Sequence, residues 1–281
     1  MEDQKNKILH AVRDHTVSNH TFGLYHDIKS DVLITFPKPK KEDLAYFYDS
    51  QNYISHTDSK FNLFDKIYQI VKSYTLRSKI KLLKKYCSTN GSVLDIGCGT
   101  GDFLVTSQAN GWDITGVETN SKAKQLAENK NVKVHTTSQG LPDNSFDIIT
   151  MWHVLEHVYD VDAQIIELKR LIKPNGTIII AVPNYKSFDA KFYGRNWAAF
   201  DVPRHLTHFS KSSIKILFEK QKMSVIKVLP MWFDSYYVSL LSEKYKTGSY
   251  NLNGLWVGFK SNWKARKSKQ FSSLIYIIKL N

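Results

Sequence analysis

Short apolar runs alternate with amphipathic segments between residues 92 and 182. Continuous apolar runs are typical of buried strands, whereas apolar spacings of three and four are typical of helices. The predicted strands are Ser92–Ile96, Ile114–Glu118, Val132–Thr136, Phe146–Trp152 and Thr177–Val182, the last introduced by a turn at Lys173-Pro174-Asn175-Gly176. The predicted helices are Phe103–Asn110, Ser121–Asn129 and Ala163–Ile172. Strands of this kind belong in a sheet covered on both faces, so the pattern predicts a doubly wound α/β fold.

The flanking segments predict an extension and two outer strands. Residues 1–60 are polar and broken by Pro37 and Pro39, which favours an N-terminal extension to a single domain over residues 61–281. Beyond Pro183 the pattern loosens, and we expect substrate-side insertions at about residues 184–209 and 231–271. The remaining predicted elements are amphipathic helix over Phe61–Tyr86, a helix at Ser212–Gln221, and strands at Ser224–Leu229 and Ser272–Ile278.

A glycine-rich turn joins the first predicted strand to the first predicted helix. Asp95 ends the strand, and three alternate glycines follow it: Gly97, Gly99 and Gly101. Alternate glycines let the backbone pass close beneath a ligand. A dinucleotide fingerprint would need Gly or Ala at position 102 or 104, where Asp102 and Leu104 stand. Both registers fail, so the turn does not match the dinucleotide fingerprint.

Three further segments follow at the ends of successive strands. Glu118 ends the second strand, where a carboxylate binds both ribose hydroxyls of a nucleoside. The loop over residues 138–147 leads into the fourth strand and is placed to contact an adenine ring. Residues 151–158 end that strand beside the point where open α/β sheets bind ligands.

These elements, in this order, resemble the class I S-adenosylmethionine-dependent methyltransferases over about residues 85–230. The resemblance implies a Rossmann-like, mostly parallel seven-stranded sheet with helices on both faces, and S-adenosylmethionine as the cofactor. It implies that the cofactor contacts Asp95, Gly97, Cys98, Gly99, Gly101, Glu118, Thr119, Ser138, Gln139 and Trp152. The segments 155–158 and 203–210 are also similar to quinone-biosynthesis O-methyltransferases.

The resemblance implies methyl transfer to a small-molecule acceptor, with a hydroxyl oxygen favoured. Histidine suits proton removal near neutral pH, and the candidates for chemistry are His153, Glu156, His157 and His205. Structural roles compete with this interpretation: His157 as a loop hydrogen-bond partner, Glu156 as a helix cap, His205 and His208 as packing residues. No ligand spacing defines a metal site, and none is expected. Aromatic candidates for an acceptor pocket, or for the core, are Phe188, Phe192, Tyr193, Trp197, Phe200, Trp232, Phe233, Tyr236 and Tyr237.

Some proteins similar to this one carry a zinc ribbon before the methyltransferase domain, and residues 14–37 resemble that region. The cysteine pairs of such a ribbon are missing here, since residues 24–31 contain no Cys-x-x-Cys. With thiolate ligands absent, the extension is predicted to be a degenerate ribbon without zinc.

Composition and charge leave the partners open. The chain is 42% hydrophobic and 23% charged, contains two cysteines, and has no secretory signal pattern, so a cytoplasmic globular protein is expected. The formal net charge is +13, and residues 210–281 hold thirteen Lys or Arg against three Asp or Glu. This basic segment suits a solvated surface, an anionic membrane surface or nucleic acid. A nucleic-acid methyltransferase and a non-catalytic binding module are the alternatives, and the sequence does not fix the oligomeric state.

Overall fold

The computed structural model of the protein describes residues 8–48, 63–87 and 90–281. Residues 1–7 and 49–60 of the predicted extension, with the predicted helix start at Phe61, lie outside the described residues. The strands, numbered in chain order, are β1 (Ile8–Arg13), β2 (Thr21–Asp27), β3 (Val32–Phe36), β4 (Ser92–Ile96), β5 (Asp113–Val117), β6 (Val134–His135), β7 (Phe146–Trp152), β8 (Ile172–Pro183), β9 (Thr207–His208), β10 (Met223–Pro230) and β11 (Ser273–Leu280). The helices are α1 (Leu44–Tyr48), α2 (Leu63–Tyr86), α3 (Asp102–Gln108), α4 (Ser121–Glu128), α5 (Val161–Leu171), α6 (Phe188–Tyr193), α7 (Lys211–Lys220), α8 (Asp234–Thr247) and α9 (Leu252–Ser268).

Seven of the described strands form the central sheet, in the order β10-β11-β8-β7-β4-β5-β6. Strand β11 runs antiparallel to both of its neighbours, and the other paired neighbours are parallel. The two faces bury separate apolar clusters, with Ile149 and Ile180 in one and Ile148 and Ile179 in the other. This arrangement confirms the predicted doubly wound, mostly parallel sheet.

The predicted turn at residues 173–176 is wrong in detail, because these residues lie inside β8. Phe146 pairs with Ile172, and Ile148 pairs with Thr177. Strand β7 therefore advances by two residues where β8 advances by five, so the extra residues bulge out of the ladder. The third predicted strand is also shorter than expected, since pairing with β5 covers Val134 and His135 alone.

The segment 231–271, expected as a substrate-side insertion with no element assigned, forms the helices α8 and α9. Small side chains line the face of α9 that packs on α8, so apolar periodicity gives no helix signal there. Gly254 and Gly258 allow this close approach: a Cβ at either position would lie 2.8 Å from backbone atoms of Leu240 or Ser235. None of the described helices is long and apolar enough to cross a bilayer.

The N-terminal extension forms an antiparallel sheet in the order β1-β2-β3-β9. Its last strand, β9, comes from the segment between β8 and β10 of the central sheet, with Leu33 opposite His208. The buried side chains of Phe22 and Leu24 join a cluster with Trp197 and Phe200. The extension and the insertion at about residues 184–209 therefore share one apolar core.

Candidate active site

The carboxyl ends of β4, β5 and β7 meet at one edge of the central sheet. Asp95, near the end of β4, pairs with Gly116 of β5 on one side and Thr150 of β7 on the other. Parallel strands end on the same side, so Glu118 and Trp152 lie at this edge with Asp95. The structure thus brings together the three strand-end residues that the sequence predicts.

The glycine-rich turn after β4 adopts a backbone that favours glycine at three points. Gly97, Gly99 and Gly101 have φ angles of +71°, +54° and +79°. A Cβ at Gly97 would lie 2.4 Å from the Val154 side chain, whereas a Cβ at Gly99 would meet nothing within 4 Å. Gly97 is therefore needed for packing, and Gly99 presents bare backbone to open space. A ligand could approach the backbone closely in this space.

Glu118 holds the glycine turn in place through its carboxylate. The backbone N–H of Gly99 donates to Oε2 at 2.9 Å, and the N–H of Asn120 donates to Oε1 at 2.8 Å. A carboxylate has about four lone-pair sites, so the half-buried Glu118 keeps acceptor capacity for two hydroxyl groups. Its geometry fits a ribose lying beside Gly99.

Asp95 is buried beneath the turn. Its Oδ1 accepts a hydrogen bond from the Thr150 hydroxyl at 2.6 Å. Burial raises the pKa of Asp95 to about 7, although Thr150 and Lys79 act against this shift.

Burial lowers the pKa of Lys79 to about 8. The ammonium group of Lys79 lies 4.1 Å from the ring centre of Trp152. Lys79 lies on α2, which carries no motif, and it could not be identified as a site residue from the sequence.

The remaining predicted cofactor residues surround this edge. Cys98 is buried and lies against Gly116. A Cβ added at Gly116 would lie 2.7 Å from the Cys98 sulfur. The Ser138 hydroxyl donates to Oε1 of Glu167 at 2.8 Å. Thr119 and Gln139 are exposed. These positions are compatible with the predicted contacts, which stay a prediction.

His153 follows β7 and is held between two acids. Its Nδ1 lies 3.3 Å from Oε1 of Glu156, and its Nε2 lies 2.9 Å from Oδ2 of Asp234 at the start of α8. Although burial opposes the charge, Asp234 and Glu156 raise the pKa of His153 to about 10. His153 is therefore a cation near neutral pH and has no free lone pair with which to accept a proton.

Glu156, His157 and His205 form a second group. One ligand atom from each lies within 4.8 Å of the others, a spacing that could also hold a metal ion. Glu156 is buried, and its Oε2 has no hydrogen-bond partner. It does not cap the following helix, because Asp160 accepts from the N–H of Ala163 there. A buried, unpartnered carboxylate oxygen leaves this group able to accept a further donor.

The two histidines of this group are held by loop carbonyl groups. Nδ1 of His157 lies 3.1 Å from the carbonyl oxygen of Arg204, and Nδ1 of His205 lies 2.8 Å from that of Ala199. A neutral ring that donates through Nδ1 to its carbonyl group has Nε2 as its acceptor. The centres of the two rings lie 4.5 Å apart, and the rings pack edge to face. Burial lowers the pKa of His157 to about 4.

The N-terminal extension contributes to this histidine pair. The Tyr48 hydroxyl lies 3.0 Å from Nδ1 of His157, and the Thr35 hydroxyl donates to the His205 carbonyl at 2.7 Å. Asp14 and Arg204 form a buried ion pair at 3.3 Å. No local sequence pattern signals these contacts, since they join residues more than a hundred positions apart.

The aromatic candidates divide between core and surface. Tyr193, Trp197 and Phe200 are buried in the cluster shared with the extension, as the core alternative predicts. His208 is buried with them, its ring 5.3 Å from that of Phe200, in the packing role considered from the sequence. Exposed large aromatics among the candidates are Phe192, Trp232, Phe233 and Tyr237.

The chain matches known methyltransferases over most of its central sheet. The family described as "Methyltransferase domain" matches residues 65–228. The ubiquinone biosynthesis O-methyltransferase of Rickettsia akari (strain Hartford) is 28% identical over 152 residues, which cover 51% of this chain and 60% of that protein. The protein of the same name from Rickettsia typhi is 30% identical over 182 residues, which cover 61% of this chain and 73% of that protein. The chain thus spans about 60% of the length of the first of these relatives.

A solved structure shows the same fold over nearly the whole chain. The geranyl diphosphate C-methyltransferase from Streptomyces coelicolor A3(2) has a TM-score of 0.57 and 12% identity, and the match covers 87% of this chain and 99% of that one. The chain belongs to the class I S-adenosylmethionine-dependent methyltransferase family, as the glycine turn and Glu118 predicted. S-adenosylmethionine is its cofactor, and the open space over Gly99 with the free acceptor sites of Glu118 fits this nucleoside.

Proposed function

We propose that this chain transfers the methyl group of S-adenosylmethionine to a hydroxyl oxygen of a small molecule. The observation that carries the proposal is the bare backbone at Gly99, open above and tied at 2.9 Å to Glu118, whose remaining lone pairs suit ribose hydroxyls. The cofactor, when bound, supplies an electrophilic sulfonium methyl group. A cytoplasmic location and the two-part division at residue 60 stay predictions.

The chain's own residues would bind and orient the two reactants. Asp95 and Trp152 lie at the strand ends beside the glycine turn, on the side where the cofactor's amino-acid portion and the acceptor meet. Thr119, Ser138 and Gln139 flank the adenine side. Holding the acceptor oxygen in line with the methyl group accounts for most of the rate gain in such a transfer.

Proton removal from the acceptor belongs to the histidine pair in this proposal. In this proposal His157 and His205 each donate through Nδ1 to a carbonyl group and accept through Nε2, whereas His153 is protonated near neutral pH. Their Nδ1 hydrogen bonds to carbonyl groups fix the tautomer that a base requires. Glu156 would stabilise the positive charge that forms on either ring, since its Oε2 is unpartnered.

The acceptor class we propose is a hydroxylated ring of the kind that precedes a quinone. Support comes from the names of the matched relatives, which act in ubiquinone biosynthesis. Tritium-labelled S-adenosylmethionine incubated with a panel of catechols, simple alcohols, sugars and an oligonucleotide distinguishes the classes. Label transferred to the ring hydroxyl supports the proposal, and label found on the oligonucleotide or nowhere contradicts it.

The cofactor site is tested by a matched pair of glycine variants. Gly99 and Gly248 both have positive φ and open space around a Cβ, but Gly248 lies at the end of α8. Gly99→Val should abolish calorimetric binding of S-adenosylmethionine and S-adenosylhomocysteine, while Gly248→Val carries equal backbone strain and should bind like the parent. Unchanged binding in Gly99→Val, or absent binding in the parent, contradicts the proposed site and favours a non-catalytic module.

A further inference from the structure

Helix α9 has the reverse of the usual distribution of side chains. The face that packs on the protein carries small or polar residues, namely Gly254, Val257, Gly258, Ser261, Asn262 and Ala265. The opposite face carries large apolar side chains with high exposure, namely Leu252 at 80%, Trp256 at 54%, Phe259 at 48% and Trp263 at 60%. A surface helix normally turns its apolar stripe toward the core. Here the stripe points away from it.

The four exposed residues form one continuous row. They are spaced by four, three and four positions, so they lie along a single line of the helix. The rings of Trp256 and Phe259 stack at 5.7 Å with an angle of 17° between their planes. An apolar row of this size on a surface marks an interaction site.

Close packing of α8 on α9 makes this row stand out from the protein. Gly254 and Gly258 contact the backbone of α8, whose inward face carries Ser235, Ser239 and Ser242. Small residues at a helix contact are typical of helices that pack in lipid. The contact between α8 and α9 therefore does not use the large side chains of α9.

The accessible charge around the row is positive. The segment 231–271 contains seven Lys or Arg and two acids, Asp234 and Glu243. Both acids have partners within the protein: Asp234 pairs with His153 at 2.9 Å, and Glu243 accepts a hydrogen bond from the Tyr193 hydroxyl at 2.9 Å. Lys260 and Lys267 follow Trp256 and Trp263 by four positions each, and the ammonium group of Lys260 lies 5.5 Å from the ring centre of Trp256.

We propose that the outer face of α9 is a docking surface for an anionic phospholipid bilayer, with Trp256, Phe259 and Trp263 inserted among the headgroups. Interfacial helices combine Trp, Phe and Leu on one face with Lys and Arg beside them, as this face does. Anionic headgroups match the unpaired positive charge of the segment. The inference does not depend on the proposed methyl acceptor.

A bilayer fits this face better than the other occupants. A second copy meeting it about a two-fold axis would bring together two faces of the same positive charge, which opposes such contact. A nucleic-acid duplex would contact the lysines through its phosphates but leave the row of Leu252, Trp256, Phe259 and Trp263 in water. A lipid interface uses both features together.

Vesicle flotation tests the proposal without any activity measurement. The parent should float with vesicles of one part phosphatidylglycerol to two parts phosphatidylcholine, less with phosphatidylcholine alone, and less as salt increases. Trp256→Ser with Trp263→Ser should lower the partition coefficient about tenfold or more, from lost apolar insertion. Lys260→Glu with Lys267→Glu should lower it at least about 25-fold, at about fivefold for each basic residue. Lys264 is left unchanged because its ammonium lies 4.0 Å from the ring centre of Phe188.

Matched controls lie on other helices. Leu126→Ser with Ile166→Ser removes two apolar side chains that are 40% and 52% exposed, and Lys81→Glu with Lys85→Glu makes the same charge change on α2. Both controls should float like the parent. Equal flotation of the α9 variants and the parent, or no flotation of the parent, overturns the proposal. So does a parent dimer in solution that Trp256→Ser with Trp263→Ser converts to a monomer, because a second copy would then cover the face.

Discussion

Nε2 of His153 and Oδ2 of Asp234 lie 2.9 Å apart, and this ion pair joins the end of β7 to the start of α8. His153 has a φ angle of +57°, which non-glycine residues seldom adopt. Its ring bridges Asp234 and the buried Glu156. The helical pair α8–α9 is thus fixed to the candidate active site by a histidine that stays protonated.

The His153–Asp234 pair should make stability depend on pH in the alkaline range. The folded protein raises the pKa of His153 from 6.5 to about 10, so the pair stabilises fully below about pH 6.5 and loses its effect as pH rises through 10. In urea unfolding, Asp234→Asn should be less stable than the parent near pH 7, and the difference should shrink toward pH 10. Asp162→Asn, an exposed acid in the first turn of α5, should show no such difference. A gap between parent and Asp234→Asn that stays constant over this range contradicts the ion pair.

The central sheet was predictable because its signals are local. The strands Ser92–Ile96 and Phe146–Trp152 begin and end where the apolar runs predict. Parallel strands buried on both faces need continuous apolar residues, and few other structures do. Helices α8 and α9 escaped prediction because their inner faces carry Gly and Ser and their outer faces carry aromatics.

Only part of the candidate site could likewise be predicted from the sequence. The sequence places Asp95 and Glu118 at the sheet edge, since motif and strand lie within a few residues of each other. Lys79, Asp234 and Arg204 reach the site from distant segments, and only the folded chain shows their contacts. Long-range pairing leaves no periodic signal in a single sequence.

Cofactor binding should release protons if Asp95 faces the sulfonium side of the site. Burial raises the pKa of Asp95 to about 7, so the carboxyl group is about half protonated at that pH. A bound cation favours the carboxylate, and up to about half a proton should leave. Titration calorimetry in buffers of different ionisation enthalpy measures this release. It should be smaller with S-adenosylhomocysteine, which lacks the sulfonium charge, and absent in Asp95→Asn. An identical buffer dependence in the parent and in Asp95→Asn contradicts it.

Methyl transfer should stay active at mildly acidic pH if His157 is the base. Burial lowers the pKa of His157 to about 4, so its neutral form persists well below the ordinary value of 6.5. With a ring-hydroxyl acceptor, kcat/KM should change little between about pH 7 and pH 5.5, apart from ionisation of Asp95. His157→Ala should lower kcat about 10²- to 10⁴-fold and leave cofactor binding unchanged, whereas His20→Ala, an exposed histidine, should leave both unchanged. Full turnover in both His157→Ala and His205→Ala eliminates the histidine pair as base.

The buried ion pair between Asp14 and Arg204 should hold the N-terminal sheet against the histidine loop. Both side chains are under 4% exposed, at 1% and 3%, and Arg204 also pairs with Asp201 at 2.6 Å. Asp14→Ala leaves part of a buried cation uncompensated, which should cost about 3–5 kcal/mol of unfolding free energy. Asp43→Ala, at an exposed acid of the same extension, should cost little. If Asp14→Ala is as stable as Asp43→Ala, the extension is not anchored through Arg204, and the contacts of Tyr48 and Thr35 hold it against the histidine pair instead.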